Sequence, residues 1–316
     1  MNKLGGVLVT LIWVSAAATA SQPIAQVQLP CESRYQVLAS TGTMLAVPCK
    51  DRSYHLLRIP EGTEIAVFPA ARGRNNFVFS RDGQWLATGF EDGTVEVTST
   101  RDSTVSKRWQ ASSHRIDILY FLPDNKTLFV GPMDSPGTIW ELNNVPTLQA
   151  TLPVEFGGIS SCVASPDGKL FVAAGGDTVL RWYDTTSWQK IRENRGFLLE
   201  TFALEFTPSG KQLLAGGADS RMTIFDAGTG KQLRQTAPEA GAFITGLDLL
   251  GAGERVLAVY VDDAGEKPPH ALVWDLASDN STALKTDSQP TCGAVVNGRL
   301  QVCSLDGRKL TISEVE

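Results

Sequence analysis

The stretch "SPDGKLFVAAGGDTVLRWYD", Ser165 to Asp184, decides how the chain is read. It begins with a Ser-Pro-Asp-Gly turn, runs through small and apolar residues, turns again at Gly-Gly-Asp, and closes on an aromatic run ending in Asp184. Two turns bounding a short apolar run describe a strand between hairpins, and such a unit buries nothing by itself. The chain must therefore supply partners for it, and copies of the same unit are the simplest source.

Taking Gly168 as a landmark, related positions occur at Gly42, Gly83, Asn125, Gly210, Gly253 and Gly298. The steps between successive landmarks are 41, 42, 43, 42, 43 and 45 residues, which divides the chain into seven units. An aspartate stands nine residues after the landmark in six of them, at Asp51, Asp92, Asp134, Asp177, Asp219 and Asp262, and Asp306 stands at eight in the seventh. A residue that a turn itself requires recurs in this way, because its carboxylate accepts hydrogen bonds from the turn's own amides.

Each unit reads as four short strands. In the second they are residues 76–80, 85–90, 94–100 and 104–109, with Asp-Gly turns at Asp82-Gly83 and Asp92-Gly93. Inner strands such as "FVFS" and "LFVAAGG" are apolar almost throughout, as in strands covered on both faces. Four strands per unit of about forty residues, repeated seven times, predict an all-β, seven-bladed β-propeller of antiparallel blades. The last unit has only three strands of its own, and "IAQVQL" at Ile24–Leu29 has no partner in the first. The N-terminal strand is therefore expected to complete the last blade and close the ring, which removes two exposed edges.

The residues resemble the WD-repeat family. Trp274-Asp275 is its signature dipeptide, Tyr183-Asp184, Phe225-Asp226 and Trp140-Glu141 are degenerate versions, and "SPDG" at 165–168 and "TPSG" at 207–210 match its first hairpin. The resemblance implies a non-enzymatic platform for protein partners. It also implies a hydrogen-bonded set of His, hydroxyl, Asp and Trp in each blade; only the third unit approaches this, with His114, Asp134 and Trp140, and Gly131 stands near the hydroxyl's place.

Residues 1–20 carry one charge, Lys3, an apolar run from Leu4 to Val14 and the small-x-small pattern Ala18-Thr19-Ala20. They read as a signal peptide, leaving residues 21–316 as one propeller domain and placing the protein in a periplasm or outside the cell. Lys and Arg total 28 against 34 Asp and Glu, a formal charge of −6 that argues against nucleic acid or an anionic membrane as partner. The chain reads as a monomer that does not insert in a membrane once the signal is removed.

Of the five cysteines, counting outward from the Asn297-Gly298 hairpin pairs Cys292 with Cys303, and Cys31 and Cys49 occupy matching ends of the first blade. Two disulfides follow as expectations, with Cys162 a buried free thiol in "ISSCVAS". His55, His114 and His270 fall in three units without ligand spacing, and no nucleophile and base stand out, so no catalytic, metal or cofactor residues are assigned. Loops between blades and loops joining second to third strands share one face of such a ring. Arg52, Arg72, Arg74, Arg115, Arg195 and Arg221 fall there, a basic patch for an anionic peptide, glycan or protein surface. The plainer reading makes them solvated loop residues paired with nearby acids. The alternative function is an enzyme or carbohydrate-binding propeller with its site in the channel mouth.

Overall fold

The computed structural model describes residues 23–33, 37–39, 41–51, 53–68, 76–153, 158–195, 200–239, 241–250, 253, 255–262, 270–278, 280–283, 290–296, 299–306 and 308–315. At 270, 271, 282, 290–295, 300, 302–306 and 315 only the backbone is described. Seven four-stranded antiparallel sheets follow one another along the chain. The fourth is made of Ile159–Ala164, Leu170–Gly175, Leu180–Asp184 and Lys190–Asn194, so the stretch from Ser165 to Asp184 is its first turn, second strand, second turn and third strand. First strands of successive blades pack side by side from blade two through blade seven and from blade seven back to blade one, which makes them the innermost layer of a closed ring.

The landmark residues owe their identity to backbone conformation. Gly42, Gly83, Gly168, Gly210 and Gly253 have φ between 68° and 88°, and Asn125 has 56°. That left-handed region is open to Gly and tolerated by Asn, which explains the one exception among the described landmarks. Each of these N–H groups donates to the carbonyl three residues earlier, closing the turn between first and second strands. The recurring aspartates do the matching task at the next turn. Asp51, Asp92, Asp177 and Asp219 accept from the amide two residues on, at Ser53, Thr94, Val179 and Arg221, over 2.9–3.3 Å.

Second strands are sealed on both faces, as Phe171 to Ala174 and Val256 to Tyr260 illustrate, all at most 2% exposed. The core is consequently divided among the seams. One cluster joins Trp182 of blade four to Phe206 and Leu213 of blade five, and another joins Met222 and Ile224 to Ile244 and Tyr260 of blade six. Fourth strands such as Val105–Gln110 and Gln232–Gln235 are largely exposed and form the rim. An irregularity recurs near the start of the first strand in blades three to seven, for example between Ile159 and Ser161, so the bulge belongs to the repeat.

The closing strand is Pro23–Gln28. It pairs with Lys309–Val315, giving the last blade the order Pro23–Gln28, Lys309–Val315, Arg299–Asp306, Pro290–Val296. Its inward residues Ala25 and Val27, with Leu29 just beyond it, share one buried cluster with Leu45, Val47 and Leu57 of blade one and with Leu310 and Ile312 of blade seven. Beyond the strand, Leu29 N–H donates to the Arg308 carbonyl over 2.7 Å, and Arg308 donates to the Pro30 carbonyl over 3.2 Å. Cys31 is bonded to Cys49, with Cα atoms 5.8 Å apart, and Glu32 pairs with Lys50 beside the bridge. Cys292 lies directly opposite Cys303 in the backbone register, with Val296 opposite Arg299; both thiols are outside the described residues.

Candidate functional site

The loop face is built where one blade hands over to the next. Arg115 precedes Ile116, the first residue of the innermost strand of blade three. Its guanidinium grips Asp117 with two bonds, Nε to Oδ1 at 2.5 Å and Nη2 to Oδ2 at 3.1 Å, and both side chains are half-buried. That carboxylate, reinforced by the fields of Glu91 and Asp134, holds the Arg115 proton more firmly than usual. Arg195, just after the outer strand of blade four, bonds Glu193 over 2.8 Å while remaining 56% exposed. Hydrogen bonds from Lys190 and Arg195 pull the Glu193 carboxyl down to about 2. Arg221, in the second turn of blade five, reaches the Gln235 amide oxygen at 3.4 Å. Arg52, Arg72 and Arg74 lie outside the described residues. The three described arginines thus stand on three successive blades, each anchored by its own blade rather than gathered into one cluster. Anchoring leaves Arg195 and Arg221 facing solvent with fixed positions, whereas the charge of Arg115 is largely balanced.

In the third blade the four-membered set is not formed. The Trp140 indole N–H donates to Thr138 Oγ1 at 2.9 Å, and His114 Nδ1 lies 3.3 Å from the hydroxyls of both Ser113 and Ser135. With Gly131 at the expected hydroxyl position, the tryptophan uses a threonine on its own strand instead. A polar tie unforeseen from the sequence occurs in blade four, where Trp182 donates to Asn194 at 2.8 Å and Asn194 donates to the Gly230 carbonyl of blade five at 2.9 Å.

Another feature missed in the sequence lies along the channel. Glu205 and Asp248 occupy the same place, five residues before the landmark, on the neighbouring innermost strands Thr201–Phe206 and Ala242–Leu250. Burial pushes Glu205 up to about 8, with repulsion from Asp248 adding to the rise and Arg81 of blade two opposing it. Burial alone pushes Asp248 up to about 7. Their shared offset was readable, but nothing in composition separates a channel carboxylate from a loop one. Cys162 is a buried free thiol, and burial raises its proton affinity far above that of an exposed one. Among the described residues, no group of three or more His, Cys, Asp or Glu is placed to hold a metal ion.

Comparison with known proteins agrees with this architecture. A model of the WD domain, G-beta repeat, matches residues 62–105 and 146–184. Each match takes in the outer strand of one blade and the first three of the next, so the sequence repeat and the structural blade are offset by one strand. The chain is similar to protein groucho of Drosophila melanogaster, 29% identical over 115 residues, which cover 36% of the chain and 16% of groucho. It is 22% identical over 232 residues to the U3 small nucleolar RNA-associated protein 15 homolog of Xenopus tropicalis, covering 71% of the chain and 44% of that protein. The chain thus spans less than half the length of either relative. Among solved structures, a chain of the mitotic checkpoint complex superposes with a TM-score of 0.76 at 16% identity, covering 96% of this chain and 98% of that one. The β-propeller domain of Swd1 from Myceliophteria thermophila superposes with a TM-score of 0.75 at 13% identity, over 94% and 100%. Fold and repeat together define the architecture: the chain is a seven-bladed β-propeller, and two of its stretches match the WD domain, G-beta repeat.

Proposed function

We propose that this chain is an exported, non-enzymatic platform that binds an anionic protein or peptide on the face carrying the between-blade loops. WD-repeat propellers are in general scaffolds for protein interaction, and the ring offers a rigid support for that role. One observation carries the reading. The recurring Gly and Asp residues are engaged by the ring's own turns, so what differs from blade to blade, including Arg195 and Arg221, is left on the loops. Variable loops on a fixed scaffold are where recognition is placed. Export is supported by the apolar leader of residues 1–20 and by the Cys31–Cys49 bridge, since disulfides persist mainly in oxidising compartments.

The test is crosslinking in the native extract with the parent chain and with a variant carrying Arg52→Glu, Arg195→Glu and Arg221→Glu, followed by mass spectrometry. The partner should be recovered by the parent and lost by the variant; equal recovery from both removes the loop-face assignment. Intact mass of the native protein should lack residues 1–20, and their retention would remove export.

One observation favours a second reading, a catalytic or sugar-binding channel. Glu205 and Asp248 are two neighbouring carboxyls with displaced proton affinities, the kind of pair acid–base chemistry uses. Replacing both with amides leaves partner recovery intact under the platform reading and abolishes activity under the other.

A further inference from the structure

At the end of blades two and three opposite the between-blade loops, the seam opens into a groove of about 620 Å³. That volume is within the roughly 300–1,000 Å³ typical of ligand sites. Its apolar side is formed by Trp85, Val97, Leu142 and Val145, and its polar side by Lys107 and Lys126 with the amides of Asn125, Asn143 and Asn144. Val145 is 72% exposed, and Trp85 and Leu142 extend the buried cluster of this seam outward into the groove. The Lys107 ammonium stands 5.4 Å from the centre of the Trp85 ring and donates to Ser106 Oγ, which holds it over the opening. Beside Lys126, the Asp124 carboxylate is occupied by the amides of Lys126 and Thr127 and by the Thr127 hydroxyl, at 2.6–2.9 Å. Among the described residues, neither lysine has a carboxylate within ion-pair distance, in a chain that is acidic overall.

We propose that this groove binds a short extended peptide whose aliphatic or aromatic side chain is flanked by carboxylates. The apolar wall takes the side chain, the two ammonium groups take the carboxylates, and the amides of Asn143 and Asn144, also in the lining, serve the peptide backbone. A neutral sugar has no charge to meet the lysines. A membrane or nucleic acid would have to approach a surface of net charge −6 for the sake of two cations in a concave site. This site is separate from the loop face and does not depend on it.

The test is fluorescence anisotropy on the full chain with fluorescein-labelled Glu-Asp-Leu-Phe-Asp-Glu. Controls are a version with Lys in place of every acid, one with Ser in place of Leu-Phe, and vesicles of phosphatidylserine and phosphatidylcholine. The acidic apolar peptide should bind, and both control peptides and the vesicles should not. Lys107→Glu with Lys126→Glu should weaken binding by about tenfold or more without moving the unfolding midpoint. Arg195→Glu with Arg221→Glu should bind as the parent does, which separates this site from the loop face. Should the lysine variant fail to fold, Val145→Asp takes its place with the same expectation. The proposal is overturned if the acidic peptide does not bind, if either groove variant binds it undiminished, or if vesicles bind in its stead.

Discussion

Replacing Arg181 by methionine should destabilise the ring far more than loss of a surface arginine. The Arg181 and Asp177 side chains are 5% and 7% exposed, and they meet through Nη1 to Oδ1 at 3.0 Å and Nη2 to Oδ2 at 2.5 Å. Without the guanidinium, the carboxylate stays in a poorly solvated turn, keeping the Val179 amide at 3.3 Å but losing the two-pronged ion pair with Arg181. Breaking one side of a buried pair costs about 3–5 kcal/mol, most of it the penalty on the partner left behind. Asp177→Asn should cost a similar amount by taking away the carboxylate that the buried guanidinium grips. The double variant Asp177→Asn with Arg181→Met buries no charge, so it should be more stable than the sum of the singles by about 2 kcal/mol or more. The assay is a double-mutant cycle by urea unfolding, with Arg299→Ala as reference, since its pair with Glu314 is 70% and 28% exposed and is worth about 0–1 kcal/mol. Additivity of the two changes within about 0.5 kcal/mol would refute the reasoning.

Leu29→Ala, which removes a fully buried side chain from the closing seam, should cost about 2–5 kcal/mol, whereas Ile24→Ala on the outer face of the closing strand, 45% exposed, should change stability by about 0.5 kcal/mol or less. Urea midpoints decide between them, and equal effects would contradict the packing assigned to this strand. Glu205 in the folded chain holds its proton up to about 8, against an ordinary 4.5, so the folded state binds more protons than the unfolded one between those values. Stability should therefore fall as pH rises through that window and level off above it. Glu205→Gln should flatten the fall, read from urea midpoints at about pH 5 and about pH 9, and an unchanged slope would show that the carboxyl is not desolvated.

Legibility from the sequence followed the locality of the physics. A left-handed turn residue and an Asp that caps its own turn leave marks at fixed offsets, so Gly168 and Asp177 located the blades and the blades located the strands. Closure was readable by counting, because one blade lacked a strand and Ile24–Leu29 lacked a partner. Side-chain pairing was not. Asp117 lies two residues from Arg115, but only strand geometry shows that the two grip each other. Glu205 and Asp248 become a pair through the ring, which sets strands 43 residues apart side by side. The groove between blades two and three joins Trp85 and Lys107 to Leu142 and Val145, a neighbourhood that exists only once the seam is formed.

At the centre of the account is a ring sealed by annealing Pro23–Gln28 to Lys309–Val315, which hydrogen exchange followed by mass spectrometry measures directly. Peptides covering residues 23–29 should exchange slowly and in step with those covering 309–315, since the pairs Ala25 with Ile312 and Val27 with Leu310 open together. Exchange of residues 23–29 at the rate of unstructured chain, with 309–315 still protected, would contradict it.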